Sequence, residues 1–402
     1  MIIGYDASRS FIGKRTGTEN YSYQILSHLA KIDHRNQYKV YLSPFSGIVP
    51  AKAGIQEFRS RIGSGIAEAA NFEAVSIPLH RLWTQYGLAK RTFLEKDLDV
   101  LFIPAHTLPL FRKPGLKTVV TVHDLGAEYL PRTHQLKQRL YLNFMTHRQL
   151  KSATHIIAVS KSTREDLINK VGIPADKITV VYEGYNEKLF KPVRGSQLGQ
   201  TLKKYNLEDQ NYFLFVGTIQ PRKNLEQLIK AYAKFIKQGA TGFQGDALTY
   251  VKASPYKKLQ LVLAGSKGWL ADEIYSLPQE LGIEKQVKFL GYVPDEELPA
   301  LYSGALAFLY PSLFEGFGLP ILEAMACGCP VLTSNTSSCP EVAGNAAIIV
   351  NPYQEEEISK GISKLTSDPK LRKELSNKGF SQIKKFSWEK AARETLKVLE
   401  SC

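Results

Sequence analysis

Short, continuous apolar runs alternate with longer amphipathic stretches from one end of the chain to the other. In the first half the runs fall at 1–7, 38–44, 100–105, 118–124, 155–160 and 178–184. In the second half they fall at 212–218, 259–265, 287–293, 306–312, 330–335 and 346–352. They are rich in Val, Ile and Leu and show no polar alternation, which marks strands buried on both faces of a parallel sheet. Between them the spacing of apolar positions predicts helices over 18–33, 133–152, 161–171, 223–238, 295–304, 319–328 and 354–366. A β-α-β-α order run through twice predicts an α/β protein with two doubly wound sheets facing across a cleft. The length of 402 residues suits two domains. We expect an N-terminal domain over 1–190, a linker over 191–210 where the apolar pattern lapses, a second domain over 211–385, and an amphipathic closing helix over 386–402.

Composition narrows the class. Hydrophobic residues make up 44% and charged residues 22%, as in a soluble globular protein. The formal charge of +14 is uneven: residues 1–190 hold 26 Lys and Arg against 16 Asp and Glu, whereas 191–402 hold 26 against 22. A basic first half suits either an anionic partner, such as a phosphorylated substrate or an anionic membrane surface, or simply a solvated basic face. No arginine-rich arm or RNA-recognition signature occurs, so no nucleic-acid partner is expected. Cys327, Cys329, Cys339 and Cys402 have neither disulfide-framework nor metal-ligand spacing, and read as reduced thiols in a cytoplasmic protein. The start, "MIIGYDASRS", reads as a buried strand rather than an export signal, and no run is long and apolar enough to span a bilayer. The stretch 136–151 mixes Lys137, Arg139, Arg148 and Lys151 with Tyr141 and Phe144, and suits a core helix with a basic outer face or one resting on anionic lipid. The stretch 239–258 is long for a helix-to-strand connection and has no assigned role.

The chemistry-bearing residues collect where strands pass into helices. In "PSLFEGFGLPILEAMACGCPVLTS" (311–334), Glu315 sits in a turn enforced by Gly316, Gly318 and Pro320, and Glu323 follows about one helical turn inside. Two ionised carboxylates beside a helix start, with its N–H groups and partial positive charge, can accept several sugar or ribose hydroxyls. The plainer alternative makes Glu323 a structural ion pair and Glu315 an exposed turn residue. In "VGTIQPRKNLEQL" (216–228), Arg222 and Lys223 stand at a helix mouth, where cations work against the dipole unless an anion is bound. Gly17-Thr18, in "GKRTGTENY", could approach a phosphate, although a plain turn fits as well. His123-Asp124 ends a strand, and His106 holds a similar place in "FIPAHTLPL". No G-x-G-x-x-G fingerprint follows any strand, which argues against a nicotinamide-dependent dehydrogenase.

Together these residues resemble the retaining glycosyltransferases of family 4, which have the GT-B fold of two Rossmann-like domains. The resemblance rests on Arg222-Lys223, on Glu315-x7-Glu323 with "EGFGLPILEAMACG", on "GYVPDEELPALY" and on "SSCPEVAGNAAIIVNP". It implies a catalytic set of His123, Arg222, Lys223 and Glu315. The donor would be held by Gly17, Thr18, Thr218, Val293, Phe317, Gly318, Leu319 and Glu323. In that scheme Glu315 takes hydroxyls of the donor sugar and Glu323 those of the ribose. Arg222 and Lys223 neutralise the diphosphate, and His123 lies near the reacting centre. Many relatives carry Arg where this chain has Thr218, so the two cations would act without it. "GTxxPRKN" with "VHDL" resembles a branch rich in mannosyltransferases of surface polysaccharide and lipopolysaccharide synthesis. The resemblance therefore implies a nucleotide-sugar donor, GDP-mannose ahead of UDP-sugars, and a lipid-linked or glycan acceptor. It implies no metal and no other cofactor, and a cytoplasmic place that extends to the inner face of the membrane. A nucleotide-sugar-binding protein without catalysis is the alternative reading.

Overall fold

The computed structural model describes residues 1–12, 17–43, 70–79, 82–105, 108–109, 111–125, 147–238, 256 and 258–402. His106, most of 136–151 and nearly all of 239–258 lie outside the described residues. The chain divides into two compact units, Met1–Gly184 with Ser387–Cys402, and Tyr185–Phe386.

The first unit holds seven strands: β1 (Ile2–Asp6), β2 (Gln37–Leu42), β3 (Phe72–Ser76), β4 (Val100–Ile103), β5 (Lys117–Val122), β6 (His155–Ala158) and β7 (Ile178–Val180). Their order across the sheet is β3-β2-β1-β4-β5-β6-β7. Every pairing is parallel, for example Ile3 opposite Val100 and Val120 opposite Ile156. The second unit holds β8 (Tyr212–Val216), β9 (Gln260–Ala264), β10 (Val287–Gly291), β11 (Ala307–Tyr310), β12 (Val331–Ser334) and β13 (Ala347–Val350). Their order, β10-β9-β8-β11-β12-β13, repeats the same plan, again all parallel. The apolar runs form these strands because both faces are covered: Val100–Ile103 and Tyr212–Phe215 are fully buried. Helix Leu225–Gln238 shows the complementary pattern, burying Leu225, Leu228, Ile229, Tyr232 and Ile236 on one stripe.

In each sheet the strand order reverses at one place, between β1 and β4 and between β8 and β11. At such a reversal the crossovers leave in opposite directions and open a crevice at the carboxyl ends of the strands. Several elements lie outside the sequence reading, among them helices Asp272–Glu280 and Pro369–Gln382. Strand β3 went unforeseen; it is the sheet edge, and only Phe72 and Val75 are buried. The stretch 191–210, expected as a linker, belongs to the second unit and contains helix Gly195–Lys204. That helix buries only Leu202, which packs beside Gly304 of helix Leu298–Gly304, so it carries almost no apolar periodicity.

The terminal helix, Trp388–Ser401, packs on helix Gly17–Ile32 of the first unit, with Trp388 edge-on to Tyr21 at 5.9 Å. Its N-cap, Ser387, accepts from the Lys390 amide. A side chain on Gly184 would meet the Trp388 amide nitrogen at 2.2 Å and the Ser387 carbonyl carbon at 2.5 Å. Backbone cannot step aside as a flexible side chain can. Gly184→Ala is therefore expected to cost about 1–3 kcal/mol of stability, the scale of overpacking, read as a lower denaturation midpoint. An unchanged midpoint would show that the helix start can move.

Candidate functional site

The carboxyl ends of β8 and β11 place the second unit's charged candidates together. After β8 the chain turns through Gly217 (φ +149°) and a single 3₁₀ turn, Pro221–Lys223. It is pinned there by Asn224, which takes a left-handed conformation (φ 60°) and donates its amide to the carbonyls of Pro311 and Pro352. These bonds hold the Arg222-Lys223 pair against the turn that follows β11. Leu313 N donates to the Arg222 carbonyl, and the Arg222 Nη1 donates to the Phe314 carbonyl at 2.8 Å.

Glu315 lies at the centre. Lys223 Nζ donates to its Oε1 at 2.6 Å, Arg222 Nη1 to its Oε2 at 3.0 Å, and the Ser312 hydroxyl also to Oε1. Lys223 donates a second bond to the Tyr310 hydroxyl at 2.7 Å and sits 5.0 Å from that ring's centroid. Lys223 is 7% and Glu315 6% exposed, so Glu315 is not an exposed turn residue. Burial alone would raise the Glu315 carboxyl, but Lys223 and then Arg222 overcome it and hold the pKa at about 2. Burial also draws the Lys223 ammonium below the ordinary lysine range, with Glu315 acting against that and Arg222 with it. The backbone of the turn is equally well held. Ser337, left-handed at φ 50°, accepts from Glu315 N and donates to Glu315 O, both at 2.8 Å, and Ser338 donates to the carbonyls of Glu315 and Phe317.

Glu323 belongs to the next helix, Leu319–Ala326, whose N-cap is Gly318 at φ +108°. It is half-buried and accepts from the Tyr302 hydroxyl at 3.1 Å. Burial raises its pKa to about 7, with Tyr302 opposing and Asp295 adding. Phe317 is buried edge-on against Phe386, Val293 is buried beyond β10, and Thr218 is exposed past the end of β8. Among the described residues no group of three His, Cys, Asp or Glu side chains is placed to hold a metal ion.

In the first unit, Gly17 opens helix Gly17–Ile32, with Thr18 next, and a side chain on Gly17 would meet nothing within 4 Å. His123 follows β5 and is buried. Its Nδ1 lies 3.1 Å from Glu183 Oε1 and its Nε2 2.9 Å from the Pro104 carbonyl. A carbonyl and a carboxylate both accept, so the two contacts favour a proton on each ring nitrogen. Burial opposes that charge, but the Glu183 hydrogen bond and charge outweigh it and raise the pKa above 6.5.

The structure thus brings Arg222, Lys223 and Glu315 into direct contact in one unit and sets His123 in the other. It also adds residues that sequence reasoning did not single out: Glu183, Tyr310, Ser312, Ser337 and Ser338. The signal for the two serines was the Ser-rich turn before Cys339. Glu183, in "VVYEG", had no local signal.

Comparison with known proteins supports the two-unit reading. A family model for glycosyl transferases group 1 matches residues 200–382, and one for glycosyltransferase family 4 matches 15–189. The O-antigen chain mannosyltransferase B of Escherichia coli is 35% identical over 280 residues, covering 70% of this chain and 69% of that protein. The O-antigen chain mannosyltransferase RfbU of Salmonella typhimurium is 27% identical over 92% of each chain. Among solved structures, a sucrose-phosphate synthase from Thermosynechococcus elongatus aligns with a TM-score of 0.73 over 100% of this chain and 98% of its own, at 20% identity, a likeness of fold.

Two predictions follow from the buried charges. A depressed carboxyl pKa gives stability that is present above the ordinary value of 4.5 and lost as pH falls through about 2. Glu315→Gln should destabilise the protein by about 3–5 kcal/mol near neutrality, the cost of stranding a buried charge, and the gap to wild type should narrow between pH 4 and pH 2. A gap independent of pH would mean that the pair is not what holds the turn. For His123, ¹⁵N spectra should show the ring titrating above the ordinary histidine range, with Glu183→Gln shifting that titration downward. A neutral tautomer at pH 6 in the wild type would contradict the hydrogen-bond pattern.

Proposed function

The chain belongs to glycosyltransferase family 4, and we propose that it transfers mannose from GDP-mannose to a hydroxyl of a lipid-linked or polysaccharide acceptor, with retention at the anomeric carbon. The observation that carries the reading is the Arg222–Lys223–Glu315 cluster at the β8/β11 reversal, two cations and an acid fixed on rigid strand ends. The named activities of the Escherichia coli and Salmonella typhimurium relatives support mannose and O-antigen polysaccharide as the chemistry.

The difficult step is departure of the diphosphate, which places negative charge on its oxygens. Arg222 and Lys223 stabilise that charge. An ammonium has three N–H donors, and Tyr310 and Glu315 take two of those on Lys223. Cations fixed before the reaction need no reorganisation during it, and such terms are commonly the largest in catalysis. With two cations present, a divalent metal is not required. Glu315 has Oε1 occupied by Lys223 and Ser312, which leaves Oε2, shared with Arg222, as the oxygen for a sugar hydroxyl. Glu323 takes the ribose hydroxyls, and donation from them favours its carboxylate form against the burial that raises its pKa. Thr218, Val293, Phe317, Gly318 and Leu319 complete the second unit's share of the donor contacts, and the family resemblance assigns Gly17 and Thr18 of the first unit to the donor as well. The bond from the anomeric carbon to the phosphate oxygen breaks as the acceptor oxygen bonds to the same face, and the acceptor proton passes to the departing phosphate. The family resemblance gives His123 a role towards the donor sugar, and its contact with Glu183 favours the charged form of the ring.

GDP-mannose should raise the melting temperature more than UDP- or ADP-sugars, because a ligand of the folded state stabilises it. Lys223→Ala should cut turnover by ~10²-fold, the scale of losing a main electrostatic contact. Equal shifts with all three nucleotides would remove the GDP-mannose assignment, and near-wild-type turnover would remove Lys223 from the mechanism. Slow hydrolysis of donor without acceptor separates a transferase from an inert binder.

A further inference from the structure

The first unit exposes a row of large apolar side chains along one helical segment. It comprises a π-helical turn, Trp83–Leu88, running into helix Ala89–Leu94. Trp83, Leu88, Ala89 and Thr92 point inward and are buried. Leu82, Tyr86, Phe93 and Leu94 do not follow them: all four are at least 55% exposed. Phe111, on a neighbouring loop, is 77% exposed. Two hydrogen bonds lay that loop alongside the segment, Gln85 Nε2 to the Leu108 carbonyl at 3.1 Å and Lys113 Nζ to the Lys96 carbonyl at 2.7 Å. Scattered exposed apolar residues are ordinary, but four within thirteen residues, with a fifth on the adjoining loop, mark a docking surface.

The surrounding charge selects the partner. Lys90 and Lys96 are exposed on the segment, Arg112 and Lys113 lie beside Phe111, and Arg91 is paired with Glu95. The acids in reach are already engaged: Glu95 is buried and accepts from Arg91 and the Tyr41 hydroxyl, and Asp97 is paired with Lys39 at 3.1 Å. An exposed apolar ridge flanked by Lys and Arg, with its acids neutralised within the unit, has the amphipathic make-up of a segment that lies in a membrane interface. Among the described residues no helix is long and apolar enough to cross a membrane, so such a contact would be peripheral.

We propose that this face, Leu82, Tyr86, Phe93, Leu94 and Phe111 with Lys90 and Lys96, docks the protein on an anionic phospholipid surface. It supplies a physical basis for acting on a lipid-linked acceptor, yet it does not depend on the transfer reaction. The test is sedimentation of the full chain with phosphatidylglycerol-containing vesicles and with pure phosphatidylcholine vesicles. Wild type should partition onto the anionic vesicles and much less onto the neutral ones. Phe93→Ser, Leu94→Ser and Phe111→Ser combined should weaken that binding about tenfold or more. Lys90→Glu with Lys96→Glu, which leaves the apolar ridge intact, should do the same and lessen its salt dependence. Hydrolysis of soluble donor should be unchanged in both variants, so loss of vesicle binding and loss of transferase chemistry are read separately. Equal binding to both vesicle types, wild-type binding by both variants, or a concentration-dependent dimer that the variants abolish would overturn the proposal.

Discussion

A carboxylate buried between two cations is the constraint on which the second unit's site depends. None of the three charges could stay where it is alone, because removing an ion from water costs several kcal/mol unless a partner and further hydrogen bonds replace the solvent. Glu315 therefore fixes Lys223 and Arg222, and they fix it. The consequence reaches into the backbone, since these residues leave two strands that are neighbours in the sheet but nearly a hundred residues apart in sequence. Ser337 and Ser338 clamp the turn from one side and Asn224 from another. The site is thus set by the same contacts that close the end of the sheet, and preorganisation comes without a separate device.

The first unit solves a related problem with different groups. His123 is held between the buried Glu183 carboxylate and a backbone carbonyl, which favour the charged form of the ring. Both arrangements stand at carboxyl ends of parallel strands, where backbone N–H and C=O groups run out of sheet partners and polar side chains can take their place. The two sheets share their strand plan and differ in the sign and strength of what they present.

The fold was legible because a parallel sheet covered on both sides demands continuous apolar runs, and few other elements do. Where one side is open the signal fails, as at edge strand β3. It fails as well where a helix packs by one residue, as Leu202 does in the stretch expected as a linker. Arg222, Lys223, Glu315 and Glu323 could be named from sequence because their spacing around a glycine turn resembles a known family. Tyr310, Ser312 and Glu183 could not. Their importance arises from burial and from partners brought near by folding, and an ordinary tyrosine, serine or glutamate in a strand or loop carries no local mark of that. The sequence also presented Glu315 as a hydroxyl acceptor, whereas the structure first shows it as the counter-ion of the pair expected to hold the diphosphate.

The first unit is not one continuous stretch of chain: Met1–Gly184 is completed by Ser387–Cys402. During synthesis, the segment that covers helix Gly17–Ile32 therefore emerges only after the whole second unit has been made. Until then Tyr21 and its neighbours lack the surface that buries them, and the nascent first unit must wait, incomplete, while the second is free to fold. A chain cut before Ser387 would therefore damage the unit that was made first, not the one it interrupts.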